Sequence, residues 1–388
     1  MHEVMHEVMH EVMHEVMYKE VYAMSEQENY MRRAMDLAIK GMGYVSPNPM
    51  VGCVVVKNGK IISEGHHEKY GEFHAERNAL LNCKEDTEGA DLYVTLEPCC
   101  HHGKTPPCTD IIIEKKIKKV YIGCLDSNPQ VAGKGVKILK NHGIEVESGI
   151  LEEECRRMNE IFFHYIKEKK PFIGIKYAMT LDGKIAAVTG DSKWITNELS
   201  RKHVQYLRKK YSSILVGIGT VKADDPMLNC REWEGCDPVR LIMDTNMSID
   251  MDSNIVKTAD RIKTYVVVSK DCNNEEKEKL LKVASVNVLK IETGADGRID
   301  IKKMLKAIGE LGIDSVLVEG GGEIHGSFFE SGMVNRVYAY IAPKIITGKN
   351  AKNPVGGSGI KLMRDAYELK NVDVTRFGDD IMITGRLN

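Results

Sequence analysis

One stretch, His74 to Cys108, constrains the fold more than any other part of the chain. It opens with His74-Ala75-Glu76 and passes through a strand-like run, Asp91-Leu92-Tyr93-Val94-Thr95-Leu96. It ends in Glu97-Pro98-Cys99-Cys100-His101-His102-Gly103-Lys104-Thr105-Pro106-Pro107-Cys108. One imidazole and two thiolates fill three corners of a zinc tetrahedron and leave the fourth to water. Glu76 is surplus as a ligand but well placed to move protons for that water. Any fold of this chain has to carry His74 to the cysteine loop.

His-x-Glu followed by Pro-Cys and a further Cys is the layout of hydrolytic zinc sites that replace an amino group on a ring carbon. The spacing departs from the short form, because eight residues separate Cys99 from Cys108. Cys99 with His102 mimics the shorter spacing, so the residues leave the third ligand open. Cys108 is favoured because Pro106-Pro107 stiffens its approach and a helix starts at Thr109. Its thiolate then meets the positive end of the peptide dipole. Closure of the site by Cys100 or His101 would make it structural.

With 388 residues the chain is long enough for two domains. A net charge of −2 offers no basic field, so neither nucleic acid nor a membrane surface is expected as a partner. No apolar run approaches the ~20 residues of a spanning helix, and no secretory signal is visible. Ten scattered cysteines suit free thiols in a reducing cytoplasm better than a disulfide framework.

Residues 1–24 form a low-complexity tail in which Met-His-Glu-Val occurs four times. His2, His6, His10 and His14 would share one helical face, yet the exact repeat before Met17 and Met24 reads as a duplicated start region. It is set aside from the fold. From Ser25, a capping box with Glu28 opens a helix with Tyr30, Ala34, Leu37 and Ala38 on its apolar face. Ser46-Pro47-Asn48-Pro49 is a rigid turn, and Val51 to Val56 a buried strand closed by the Asn58-Gly59 hairpin signal. Ile61 to His66 returns as its partner. His74 to Leu81 is a helix, Tyr93 to Leu96 a strand, and a helix begins at Asp110. Lys119 to Cys124 is a strand, Gly135 to His142 a helix and Glu145 to Gly149 a short strand. This alternation predicts a largely parallel α/β sheet. Glu152 to Ile166 reads as one amphipathic helix, and Lys167 to Pro171 as a charged linker.

The expected division is 25–170 for the metal domain and 171–388 for a second alternating domain. Its strands are expected at Phe172 to Lys176, Ile214 to Val216, Val239 to Met243, Tyr265 to Val268, Ser315 to Val318 and Val337 to Ile341. Its helices are expected at Glu198 to Lys210, Glu275 to Val283, Ile301 to Leu311 and Gly326 to Ser331. Two glycine-bearing turns follow strands, Val216-Gly217-Ile218-Gly219-Thr220 and Val318-Glu319-Gly320-Gly321-Gly322. Such turns bring bare N–H groups to a phosphate. Neither fits Gly-x-Gly-x-x-Gly in full, so they are equally readable as tight connections.

His74-Ala75-Glu76, Thr95-Leu96-Glu97-Pro98-Cys99 and Gly103-Lys104-Thr105-Pro106-Pro107-Cys108-Thr109 resemble the deaminase half of the bifunctional riboflavin-biosynthesis deaminase/reductase family, in which the long cysteine spacing is usual. Lys176 to Ala186 and Gly190 to Thr196 resemble its reductase half. The likeness covers nearly everything after Ser25. It implies a cytidine-deaminase-like α/β/α zinc domain followed by a dihydrofolate-reductase-like α/β domain. It implies one zinc per chain on His74, Cys99 and Cys108, Glu76 as the catalytic proton carrier, and Asn48 and His67 in the pyrimidine pocket. NADPH contacts are implied at Ala178, Trp194, Thr220, Asp224 and Thr245, and along Gly321, Gly322, Glu323, Ile324, His325, Gly326 and Ser327. Substrate contacts are implied at Lys176, Ser192, Arg208, Leu228, Arg231 and Glu319. Two arginines and a lysine suit a pyrimidine ribose phosphate, since guanidinium forks pair with phosphate oxygens. The expected chain is a cytoplasmic homo-oligomer acting on that small molecule. Deamination of 2,5-diamino-6-ribosylamino-4(3H)-pyrimidinone 5′-phosphate would be followed by reduction of its ribosyl chain to ribityl. A nucleic-acid-editing deaminase and a structural zinc module are the rival readings.

Overall fold

The computed structural model describes residues 25–128 and 131–387; the Met-His-Glu-Val tract lies outside the described residues. The chain divides into two compact units that part between Glu168 and Lys169.

In the first unit, Ser25 and Glu28 cap each other at the start of α1, Glu26–Ile39. Met31, Ala34, Met35, Leu37 and Ala38 form its buried stripe. Next come β1, Gly52–Lys57; β2, Lys60–His66; α2, Ala75–Asn82; β3, Asp91–Leu96; α3, Cys108–Glu114; and β4, Lys119–Cys124. The unit ends with α4, Lys134–Asn141; β5, Glu145–Ser148; α5, Glu152–Met158; and α6, Glu160–Glu168. Positive φ at Asn58 and Gly59 makes the tight β1–β2 turn that Asn-Gly favours.

Two expectations change here. The sheet, ordered β2-β1-β3-β4-β5, is mixed rather than largely parallel. The Asn58-Gly59 hairpin reverses the chain, so β1 runs antiparallel to both β2 and β3, and only β3-β4 and β4-β5 are parallel. The helix expected over Glu152 to Ile166 is two helices broken at Asn159. The Asn159 side chain takes the Met50 N–H at 2.9 Å and donates to the Met50 carbonyl at 2.8 Å. That buried amide fixes the entry to β1, and the helix bends around it.

The second unit contains β6, Phe172–Thr180; α7, Glu198–Lys210; β7, Ser213–Gly217; α8, Ile218–Asp224; β8, Val239–Met243; and α9, Asn254–Lys257. It continues with β9, Thr264–Ser269; α10, Glu275–Val283; β10, Val286–Ile291; α11, Ile301–Glu310; β11, Ser315–Gly320; and α12, Gly322–Ser331. It closes with β12, Arg336–Ala342; β13, Lys370–Phe377; and β14, Asp380–Arg386. The sheet order is β10-β9-β8-β7-β11-β6-β12-β14-β13. The run from β10 to β12 is parallel, and the last two pairings are antiparallel. Ile214, Val216, Ile242 and Val266 pack into one cluster, whereas Leu215, Leu241 and Val267 pack into another. Alternation along each strand thus covers both faces of the sheet, as a parallel sheet requires.

Both glycine turns are shorter than expected. Gly217 caps α8, so Thr220 and Asp224 stand on a helix. Gly321, at φ 80, caps α12, so Gly322 to Ser327 are helical. Among the described residues no helix is long and apolar enough to cross a membrane.

Candidate functional site

His74 caps α2 in extended conformation, so the next helical turn delivers Ala75 and Glu76 inward. Cys99 follows β3 in the Pro98 turn, and Cys108 is the first residue of α3. The Cys99 carbonyl accepts the N–H groups of Cys108 and Thr109 at 3.1 and 3.2 Å, which folds the long loop back on itself. The ligand atoms of His74, Cys99 and Cys108 consequently lie within 4.8 Å of one another. His74 Nδ1 is 3.4 Å from the Cys99 sulfur and 3.5 Å from the Cys108 sulfur. His102, Cys100 and His101 fall outside this group of three.

Glu76 is buried, with Oε2 lacking a protein partner. Burial pushes its carboxyl up to about 7, and negative charge on Cys99 adds to the rise. Of the two thiols, Cys99 is the more acidic, lowered first by the hydrogen bond from the Cys108 thiol; Cys108 is raised by that same hydrogen bond and then by burial. One imidazole nitrogen, two sulfurs and an orphaned carboxylate oxygen fit a zinc ion with a water beside it.

The cluster faces a cavity of about 290 Å³, walled by His74, Glu76 and Cys99 together with Asn48 and His67. The Asn48 amide donates to His67 Nε2 at 3.2 Å, while His67 Nδ1 faces the Phe73 carbonyl at 3.0 Å. A carbonyl only accepts, so Nδ1 carries the proton and Nε2 the lone pair. Burial holds His67 below the usual histidine range, which keeps that neutral form. Lys104, Asp126 and Asn128 also line the cavity, and sequence reasoning missed all three. The Lys104 ammonium sits 4.0 Å over the Tyr70 ring. Asp126 is raised to about 6 by burial. It follows the carboxyl end of β4, where ligands of open α/β sheets gather, and that position was the available signal. Glu97, in the motif, also lines the cavity, but its carboxylate is engaged as a helix anchor. It accepts the N–H groups of Asp126, Gly133 and Val136 at 3.3, 2.9 and 3.3 Å.

In the second unit, the structure draws three of the implied substrate residues together. Arg208, on the last turn of α7, forks onto Glu319 of β11 at 2.8 and 3.0 Å, and Lys176 of β6 lies 3.7 Å away. Burial alone would raise Glu319, but Arg208 and then Lys176 outweigh it and hold the carboxyl at about 2. Burial lowers Lys176. Two cations share one carboxylate, leaving an excess positive charge. Arg231 is exposed, Ser192 half-buried, and Leu228 is packed in the core with Ile214 and Val216.

Among the implied cofactor residues, Ala178 lies on β6 and Thr245 is the second residue past β8. Asp224 ends α8. Trp194 is 61% exposed rather than core, with Arg201 4.5 Å over its ring. Gly320 stands against Thr220: a Cβ there would come within 3.0 Å of the Thr220 hydroxyl. The carboxyl ends of adjacent strands β7 and β11 therefore meet at bare backbone. From there β7 continues to β8 on one side and β11 to β12 on the other, a switch point of the kind that receives nucleotides. Gly322 and Gly326 have a different reason to be small. A Cβ at either would strike the backbone of Asn353 or Gly356 at 2.6 or 2.5 Å. His325 is buried beneath the same loop, 2.7 Å from the Pro354 carbonyl.

Residues 24–124 match the cytidine and deoxycytidylate deaminase zinc-binding region, and residues 171–383 the RibD C-terminal domain. The riboflavin biosynthesis protein RibD of Actinobacillus pleuropneumoniae is 50% identical over 355 residues, 92% of this chain and 94% of that one. Its counterpart in Escherichia coli (strain K12) is 35% identical over 372 residues, 92% and 98% of the two chains. A Thermotoga maritima diaminohydroxyphosphoribosylaminopyrimidine deaminase/5-amino-6-(5-phosphoribosylamino)uracil reductase superposes with a TM-score of 0.82 at 40% identity, covering 94% of this chain and 99% of that one. Acinetobacter baumannii RibD gives 0.83 at 34% identity, with the same coverage.

Proposed function

The chain belongs to the RibD family, a bifunctional deaminase and reductase of riboflavin biosynthesis, and on that premise we propose which residues carry each step. The chain's 25–170 segment removes the ring amino group of a diaminopyrimidinone ribosylamino 5-phosphate, and its 171–388 segment reduces the opened ribose. The constellation of His74, Cys99, Cys108 and Glu76 on one cavity carries this reading.

Zinc on His74, Cys99 and Cys108 would supply Lewis acidity and make water nucleophilic near neutral pH. Glu76 takes the proton of the attacking water and returns it to the departing ammonia, which asks for a carboxyl poised near the working pH. Asn48 and His67, locked together, present hydrogen-bonding groups to the pyrimidine edge. Lys104 offers a cation to the phosphate end. In the second unit NADPH would supply a hydride at the β7–β11 switch point, with Ala178, Trp194, Thr220 and the start of α12 around it. Lys176 and Arg208, held by Glu319, orient the sugar phosphate, with Arg231 and Ser192 as the further contacts that the family likeness implies. Ten free cysteines support a cytoplasmic setting.

Metal analysis of the purified chain and of Cys108→Ser tests the first half. One zinc per chain is expected in the parent, with metal and ammonia release both lost in the variant. NADPH oxidation on the already deaminated pyrimidine should persist. Full zinc and full ammonia release in Cys108→Ser would remove this ligand assignment.

A further inference from the structure

Of the two arginines that the family likeness implies for the sugar phosphate, Arg208 stands on α7 and Arg231 on the loop between α8 and β8. Arg208 is fixed by its neighbours: it forks onto Glu319, and its Nη1 donates to the Asn229 carbonyl at 3.0 Å. Arg231 keeps an exposed side chain. A long cation on an exposed loop gives up much rotamer freedom to meet an anion, so the seat of its backbone decides what it reaches.

That backbone is held from α7. Gln205, one turn before Arg208, is 4% exposed, and its Oε1 accepts the Arg231 N–H at 2.9 Å. Its carbonyl receives the Cys230 thiol at 3.6 Å. The Cys230 N–H donates to Asp237 Oδ1 at 2.8 Å, which ties the far end of the loop to its start. The entry to the loop is strained. Leu228, buried, has φ 49, and the carbonyls on either side of it are both taken, Met227 by Arg240 at 3.2 Å and Asn229 by Arg208. A left-handed leucine persists only where its surroundings over-determine it. Residues three apart on a helix are neighbours, so the side chains that fix Arg231 and Asn229 leave the same face of α7.

We propose that Gln205 is a positioning residue for the reductase: by holding the Arg231 N–H it sets Arg231 at a fixed reach from Arg208, and the two guanidinium groups close together on the 5-phosphate of the pyrimidine. This deepens the reading of the second unit as a reductase of a sugar phosphate, and rests on it.

The test follows NADPH oxidation by the full chain on the deaminated pyrimidine with and without its 5-phosphate. The parent should prefer the phosphorylated compound in kcat/KM by at least about tenfold, as charge-assisted contacts give. Gln205→Met keeps the length and apolar bulk of the side chain but not the acceptor, and should lower that preference about threefold to tenfold, through KM rather than kcat. Gln205→Glu keeps an acceptor oxygen and should hold the preference within about twofold of the parent. Asp237→Ala, at an exposed position, frees Cys230 instead and should lower the preference in the same direction. The KM for NADPH and the rate of ammonia release should stay at parent values in all three. A preference unchanged in Gln205→Met, or lost equally in Gln205→Glu, would overturn the proposal; should Gln205→Met fail to fold, an unchanged preference in Asp237→Ala would do so. Arg231→Gln separates the two levels. A preference that falls there but survives Gln205→Met leaves the substrate reading standing, whereas one that survives Arg231→Gln removes Arg231 from the phosphate contacts and the proposal with it.

Discussion

Glu319 shows how one side chain can hold two others in place. Its carboxylate sits between Arg208 and Lys176 with only 7% of its side chain exposed. Replacing it with Gln would leave two buried cations unpaired, which typically costs about 3–5 kcal/mol. Urea unfolding of Glu319→Gln should show that loss; a change below 1 kcal/mol would mean the cations find other partners. The pairing itself was beyond sequence reasoning. Arg208 stands in a run with Lys209 and Lys210 that reads as a solvated helix end, and its partner is 111 residues away. The metal residues were easier because cysteine, histidine and glutamate with fixed local spacing announce their chemistry. Leu228 is the reverse case: its place in the core makes its side chain a packing group.

At the scale of elements, the cysteine loop is held by a helix from outside the motif. α4 packs so closely on the Pro98 turn that a Cβ at Gly135 would lie 2.3 Å from the Pro98 carbonyl. Gly135→Ala should therefore push the turn and Cys99 outward. Competition with a chromophoric chelator should show zinc held at least about tenfold more weakly, since misplaced ligand support commonly costs that much. Unchanged affinity would show that α4 yields instead. Local signals predicted the capping box of α1, the Asn58-Gly59 hairpin, and the strands β9 and β11 that carry continuous apolar runs. The hairpin of β13 and β14 and the edge strand β10 were missed for a physical reason. Val372 and Val374 remain exposed at a sheet edge, so neither a buried run nor a clean alternation marks them. α8 was hidden by Gly217 and Gly219, which read as a turn although only Gly217 caps the helix. Asn159 breaks a regular amphipathic pattern through bonds to Met50, and no local window contains both.

Across the whole molecule the two units respond differently to acid and to metal removal. His203 is buried against Tyr340, its Nδ1 2.6 Å from the hydroxyl, and burial holds it down at about 3. An unfolded histidine titrates near 6.5, so the unfolded chain binds the proton first as pH falls. The stability this group contributes is complete above about pH 6.5 and is lost progressively towards pH 3. Both tryptophans, Trp194 and Trp233, lie in the second unit, so their fluorescence follows its unfolding alone. Between pH 7 and pH 5 that transition should lose about 2 kcal/mol, and His203→Gln should flatten the slope. Glu319, already at about 2, adds its own loss only below about pH 4. Chelation should instead silence ammonia release while leaving the tryptophan transition in place. The most direct test of the account is a paired assay of zinc-loaded Glu76→Gln, following ammonia release and NADPH oxidation on both the diamino and the deaminated pyrimidine. The prediction is full zinc, no ammonia, no NADPH oxidation on the diamino compound, and parent-like oxidation on the deaminated one. Ammonia release at the parent rate, or loss of oxidation on the deaminated compound, would contradict the assignment of Glu76 to the first chemistry alone.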